Sequence, residues 1–250
     1  MSGAFTVTRT LLLRGMGVGV VAGVLAFVVA RLLGEDPLNL GIAFEQASAA
    51  GGADHKTELV SRSVQSTLGL GVGTVVFAVA LGGVYGLAYA FTQGRLGSLS
   101  ARATALTVAL GGFVALHVLP ALKYPSNPPG TSDSDTIGYR TQWYFVLVVI
   151  SLAVVVGGAV LARRLSHRHG AWNGALLALL AGLVVVVVAY VALPAINETP
   201  AGFAGDTLWR FRMATSAVQL TVWTTLGLGF GVLTERSLRA SASPRVAATA

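Results

Sequence analysis

Long apolar runs separated by short polar intervals dominate this chain. A membrane-crossing helix needs about 20 mainly apolar residues, and six segments qualify: roughly 12–33, 67–91, 103–122, 142–162, 173–196 and 214–233. The fourth and fifth are dense in Val and Leu. Others are rich in glycine: Gly15, Gly17, Gly19 and Gly23 in the first, Gly69, Gly71 and Gly73 in the second, Gly227, Gly229 and Gly231 in the last. In a membrane helix glycine permits close approach of a neighbour, so packing is the first expectation and a path lined by bare backbone the second. The pattern predicts an all-α integral membrane protein with one transmembrane domain over 1–236 and a disordered cytoplasmic tail over 237–250. Arg9 and Arg14 ahead of the first run have the outline of a signal peptide. The run is long, however, and Ala30 is followed directly by Arg31 rather than a cleavage site, which favours a retained helix.

Charge gives the runs a direction. With the N-terminus placed in the cytoplasm, the inner segments hold Arg9, Arg14, Arg95, Arg102, Arg163, Arg164, Arg168, Arg236, Arg239 and Arg245, and their only acid is Glu235. The other nine of the ten acids fall in the three long outer loops. Basic residues mark the cytoplasmic side, so both termini are expected inside. Arg163, Arg164 and Arg168 need be no more than topology anchors. Composition agrees: 54% of residues are hydrophobic and 11% charged, against about 25% charged in a soluble domain. The net charge of +7 is spread over short loops rather than gathered in a stripe, which argues against nucleic acid.

The hairpins resemble one another. His117-Val-Leu-Pro120-Ala-Leu-Lys-Tyr124-Pro ends the third run, and Tyr190-Val-Ala-Leu-Pro194-Ala-Ile-Asn197-Glu198 ends the fifth. Each continues through a Pro/Gly loop to Asp-Thr (Asp135-Thr136, Asp206-Thr207) and an aromatic–arginine cluster, Tyr139-Arg140 with Trp143 or Trp209-Arg210-Phe211-Arg212. The first hairpin is a looser copy, from Glu35-Asp36-Pro37 to Ser61-Arg62-Ser63-Val64-Gln65. This predicts three parallel tandem hairpins, a kind of repeat known in transporters. They could close around one pathway within a chain or across a homo-oligomer.

The absence of cysteine removes disulfides, thiolate metal sites and cysteine nucleophiles. No phosphate-binding glycine loop occurs, so ATP hydrolysis is not expected of this chain. His117 is the strongest single candidate, about 8 Å inside the end of its helix by helical rise. Neutral imidazole ligates mid-series divalent metals, though a lone intramembrane His can equally be a hydrogen-bonded core residue. Glu45, Glu58 and Glu198 are the outer acids nearest to helix ends. With His117 they would suit Co²⁺, Ni²⁺ or Zn²⁺ and disfavour Cu(I). Gln65, Gln142 and Gln219 could offer amide oxygens deeper in, or interhelical hydrogen bonds. Arg62, Arg140 and Arg212 could set carboxylate geometry, although a cation beside a cation path counts against a tight site. Asn127 and Asn197 could brace the mouth. Trp143, Tyr144, Trp209 and Tyr124 sit where an interfacial aromatic belt belongs.

Together these motifs resemble the CbtA family, the proposed cobalt transporter subunit of bacteria and archaea. The resemblance rests on Glu58-x-x-Ser61-Arg62-x-x-Gln65 before a glycine-rich helix, and on His117-x-x-Pro120 through Lys123-Tyr124-Pro125-x-Asn127-Pro128-Pro129-Gly130 to Arg140-x-Gln142-Trp143. It rests also on Leu193-Pro194-x-x-Asn197-Glu198-x-Pro200-x-Gly202-Phe203, Trp209-Arg210-Phe211-Arg212 and Gln219. It implies a multi-pass protein of the bacterial or archaeal inner membrane that imports cobalt for cobalamin synthesis, with Co²⁺ as cargo, no resident cofactor and no enzyme activity. It implies a small His-rich single-span CbtB-like partner. It brings no metal ligands, and the family is usually described with about five spans against the six counted here. The rival readings are a membrane-embedded enzyme on a lipid or isoprenoid phosphate and a non-transporting scaffold subunit.

Overall fold

A computed structural model describes residues 2–49, 64–129, 131 and 134–242. No strand occurs among them. Helix α1 (Ser2–Val29) passes through a π-helical turn, Ala30–Gly34, into α2 (Glu35–Ala49). A second π turn, Gln65–Gly69, opens α3 (Leu70–Thr92). Helix α4 (Ala101–Phe113) continues through a third, Val114–Val118, into α5 (Leu119–Lys123). Helices α6 (Ile137–Ala192) and α7 (Gly205–Ala242) complete the chain. Five continuous helical stretches among the described residues are long and apolar enough to cross a membrane: Thr6–Ser48, Thr67–Thr92, Ala101–Lys123, Ile137–Ala192 and Gly205–Ala240. Their large aliphatic side chains face outward, as Val149, Leu179 and Val191 do on α6, which suits acyl chains and not water.

Two expectations about boundaries change. Glu35-Asp36-Pro37, read as the start of a loop, lies in the first turn of α2, so the helix runs on past Glu45. Proline is tolerated in a first turn, and a π turn, Ala30–Gly34, comes just before it. Pro120 follows the turn Val114–Val118 in the same way. At the other end, α7 runs through Ser237 to Ala242, beyond the point at which the tail is expected to begin.

At 56 residues, α6 would be about 84 Å long if straight, nearly three hydrocarbon cores of about 30 Å. It is not straight. Gly170 takes φ 79° and ψ 162°, a conformation that a side chain disfavours. The chain folds back there, so that Gly174 lies against Ser166 and Gly182 beside Val154.

Contacts divide the chain into two compact units. The first comprises Met1–Val28, Val60–Leu110 and Leu220–Ala250. Its core is a seam of small residues. Gly15, Gly19 and Gly23 recur every fourth residue on α1, and Ala78, Gly82 and Gly86 do the same on α3. A Cβ built on Gly15 would stand 2.0 Å from the Gly82 carbonyl oxygen, and one on Gly86 2.5 Å from that of Leu11. The backbones therefore touch, as in small-xxx-small membrane interfaces. Gly17 and Gly73 meet nothing within 4 Å, so on α1 it is the glycine at every fourth residue that packs, whereas Gly227, Gly229 and Gly231 of α7 would each bring a Cβ within 3.2 Å of a neighbour. Around the seam, Phe230 is fully buried against Tyr85 and Tyr89, and the Tyr85 hydroxyl donates to the Ala105 carbonyl at 2.6 Å. Glu235 pairs with Arg102 at 2.5 Å and with Arg239, while Arg14 donates to Thr234 Oγ1 at 2.9 Å.

The second unit comprises Val29–Leu59 and Gly111–Gln219. Here loops are drawn onto helix ends. Gly41 of α2 sits so close to the Pro128–Pro129 backbone that a Cβ would come within 2.9 Å of Pro129 O. Phe44 meets Phe203 edge-on at 5.2 Å, and Arg210 lies 3.6 Å from Asp36.

Candidate functional site

Two prolines set the geometry of the site. A residue before proline is pushed out of the α region. Tyr124, before Pro125, stops α5 at φ −121° and ψ 72°, and Leu193, before Pro194, stops α6 at φ −79° and ψ 146°. Proline also lacks an N–H, so Pro194 cannot donate to the Tyr190 carbonyl one helical turn back. Lys123 does so instead, its Nζ donating to Tyr190 O at 2.7 Å. The Tyr190 hydroxyl returns a bond to Leu119 O, and the Tyr124 hydroxyl donates to Pro194 O at 2.8 Å. Burial, and to a lesser extent neighbouring Tyr139, pushes the Tyr124 phenol above its ordinary value, so it remains a donor. The two proline-terminated helix ends that look alike in sequence are thus stitched to each other.

Beside this junction lies a cavity of about 660 Å³. The C-terminal end of the α4–α5 stretch, the loop after it, the first turns of α6, the loop after α6 and the first half of α7 all contribute. His117 stands on the π turn, stacked 5.5 Å from Phe113. Its Nε2 is 3.2 Å from Ser216 Oγ. The Ser216 hydroxyl proton is already donated to Arg212 O at 3.0 Å. With its own proton so directed, Ser216 Oγ can accept from His117; in that tautomer the imidazole proton sits on Nε2 and Nδ1 has an open lone pair. Arg212 donates through Nη2 to Asn127 Oδ1 at 2.9 Å, tying α7 to the Asn-Pro-Pro loop. Arg140 Nε stands 3.0 Å from Glu198 Oε2.

Residues 8–235 match the family described as "Probable cobalt transporter subunit (CbtA)". The chain belongs to the CbtA family. Among curated proteins and among solved structures, none matches it.

Of the candidate metal and pathway residues in this CbtA chain, seven line the same cavity: His117, Asn127, Arg140, Asn197, Glu198, Arg212 and Gln219. Gln142 is exposed on α6 and does not line it. Glu45 is exposed on α2 and is likewise outside the lining. Gln65 begins the π turn ahead of α3. Glu58 and Arg62 lie outside the described residues. Among the described residues, no three His or carboxylate side chains converge as a metal-binding group. Sequence reasoning gave no role to Lys123 or Tyr190 beyond their place in the repeated motifs, and placed Ser216 only on the helix face that also carries Arg212 and Gln219. For Lys123 and Tyr190 a signal existed, because a proline four residues after Tyr190 leaves that carbonyl in need of an outside donor. Nothing in the sequence pairs Ser216 with His117, 99 residues away.

Proposed function

We infer that this CbtA member, from a family of probable cobalt transporter subunits, crosses the membrane several times. We propose that it forms the membrane path by which Co²⁺ enters a bacterial or archaeal cell. The fold-back at Gly170 lets α6 cross twice, giving six traversals with both termini in the cytoplasm, and the basic segments around Arg95, Arg163 and Arg236 support that orientation. The cavity then opens to the outside. The observation that carries the reading is the convergence there of a His with an open Nδ1, a carboxylate and amide groups from segments far apart in sequence.

In this proposal His117 Nδ1 and Glu198 meet the ion, Glu198 exchanging Arg140 for metal. Glu45 and Glu58 raise the local concentration of cations on approach. Gln65, Gln142 and Gln219 supply amide oxygens along the route. Arg62, Arg140 and Arg212, with Asn127 and Asn197, hold the mouth in shape. A small His-rich single-span subunit delivers the metal, since no His-rich tract occurs in this chain. Radiolabelled Co²⁺ uptake, in cells lacking other cobalt importers and with this chain expressed with and without that partner, tests the reading. Uptake above the empty vector that drops in His117→Ala and Glu198→Gln at equal membrane abundance is the expected result. Undiminished uptake in both variants removes the site, and no uptake in any combination removes the function.

A further inference from the structure

The charge on the cavity wall runs against a bare dication. Its described lining holds Lys123, Arg140 and Arg212 against the single carboxylate of Glu198. Guanidinium groups do not shed their charge, and adding Co²⁺ alone would place two more positive charges among them. The size is wrong as well. A hydrated octahedral ion, with each water taking about 30 Å³, fills roughly 180 Å³, less than a third of the 660 Å³ available. The cavity falls within the range of small-molecule sites, about 300–1,000 Å³. Its polar groups suit an oxygen-rich anion. Asn127, Asn197, Thr141, Thr215 and Tyr144 line it together with the three cations, and guanidinium and ammonium groups bind carboxylates through charge-assisted hydrogen bonds. One neutral nitrogen, His117 Nδ1, remains for a coordination position that a chelator leaves to water.

We infer that the cavity takes cobalt as an anionic polycarboxylate chelate and not as the free hydrated ion, with Lys123, Arg140 and Arg212 on the chelator's carboxylates and His117 on the metal. This rests on the transport reading, specifies its cargo and amends one contact in it: Glu198 keeps Arg140, and of the chain's own groups only His117 reaches the metal. No bond is made or broken except the exchange of a metal-bound water for imidazole.

The test uses the full-length protein in nanodiscs of zwitterionic phosphatidylcholine, so that no anionic headgroup competes. Retention of ⁵⁷Co and of ¹⁴C-citrate is measured with each alone and with both at equal concentration. The expected result is co-retention near one to one, with cobalt held about tenfold more strongly than without citrate. Lys123→Gln, which keeps an N–H for the Tyr190 carbonyl and loses the charge, should lower co-retention about tenfold, and Lys123→Arg should restore it. Should the glutamine variant fail to fold, the wild-type comparison decides alone. Cobalt retained without citrate and displaced by it overturns the chelate while leaving cobalt transport standing. Citrate retained equally without cobalt also overturns it, by making the cavity a plain anion site. Retention of neither label overturns the chelate, and cobalt uptake in cells with the partner then decides the transport reading by itself.

Discussion

The two units use the same membrane-type helices for opposite ends. In the first, α1 and α3 touch backbone to backbone through Gly15, Gly19, Gly82 and Gly86, aromatic rings fill the remaining space, and the one acid is held by two arginines. In the second, prolines interrupt the helices, freed carbonyls are satisfied by side chains from elsewhere, and a polar cavity remains open between helix ends. Close packing leaves no room for a ligand, while proline breaks and π turns leave backbone groups and space that a site can use. The units differ in side-chain size at their helix contacts and in the proline breaks that only the second uses at its cavity.

That contrast can be broken first at the seam. Gly82→Leu must separate two touching backbones and should destabilise the protein by about 3 kcal/mol or more, read as loss of folded protein on heating in detergent. Normal thermal stability would mean that α1 and α3 are not in contact. A smaller effect belongs to the second unit. Lys123→Met leaves the Tyr190 carbonyl without its donor and should cost about 1–3 kcal/mol. Adding Pro194→Ala supplies the missing N–H and should recover part of it, so a purely additive double mutant would refute the stitch. Next comes the His117–Ser216 pair. Ser216→Ala frees the imidazole tautomer and should reduce cobalt uptake about tenfold, the scale on which a partner that orients a metal ligand acts, with thermal stability nearly unchanged. An equal loss of stability and uptake would instead assign the pair to packing. Smallest of all, Gly17→Ala, which meets no neighbour within 4 Å, should be neutral or stabilise by up to about 1 kcal/mol. Destabilisation there would show that every glycine of the run is packed, not every fourth.

What could be read from the sequence follows the same division. Helical class, the apolar runs and the basic cluster of Arg163, Arg164 and Arg168 just before the bend at Gly170 are local properties of the chain, set by composition and charge over about 20 residues. The likeness between the His117–Tyr124 and Tyr190–Glu198 segments was also legible, because proline acts on its immediate neighbours. The glycine runs were visible, but which glycines pack was not. That depends on the spacing of four in α1 meeting the same spacing in α3, and on a partner segment that the run itself does not name. How the candidate carboxylates sit was not legible, and Glu58 lies outside the described residues. Glu45 rides on a helix that continues through Pro37, and Glu198 is engaged by Arg140. An acid near a helix end carries no information about where its side chain goes. The cationic character of the cavity was out of reach for a related reason: Lys123, Arg140 and Arg212 come from three segments whose juxtaposition only the fold supplies.

The fold-back at Gly170 also bears on how the protein is made. Its two limbs are the most apolar stretch of the chain and lie against each other directly beyond the bend. A nascent segment of this kind is best released into lipid as a closed pair, since Gly174 and Gly182 then meet Ser166 and Val154 before acyl chains reach them. The glycine therefore sets a timing requirement as well as a shape: the second limb must emerge before the first has drifted from the insertion site. A bulky residue at 170 would be felt first as slow or failed biogenesis, before any change in the finished molecule.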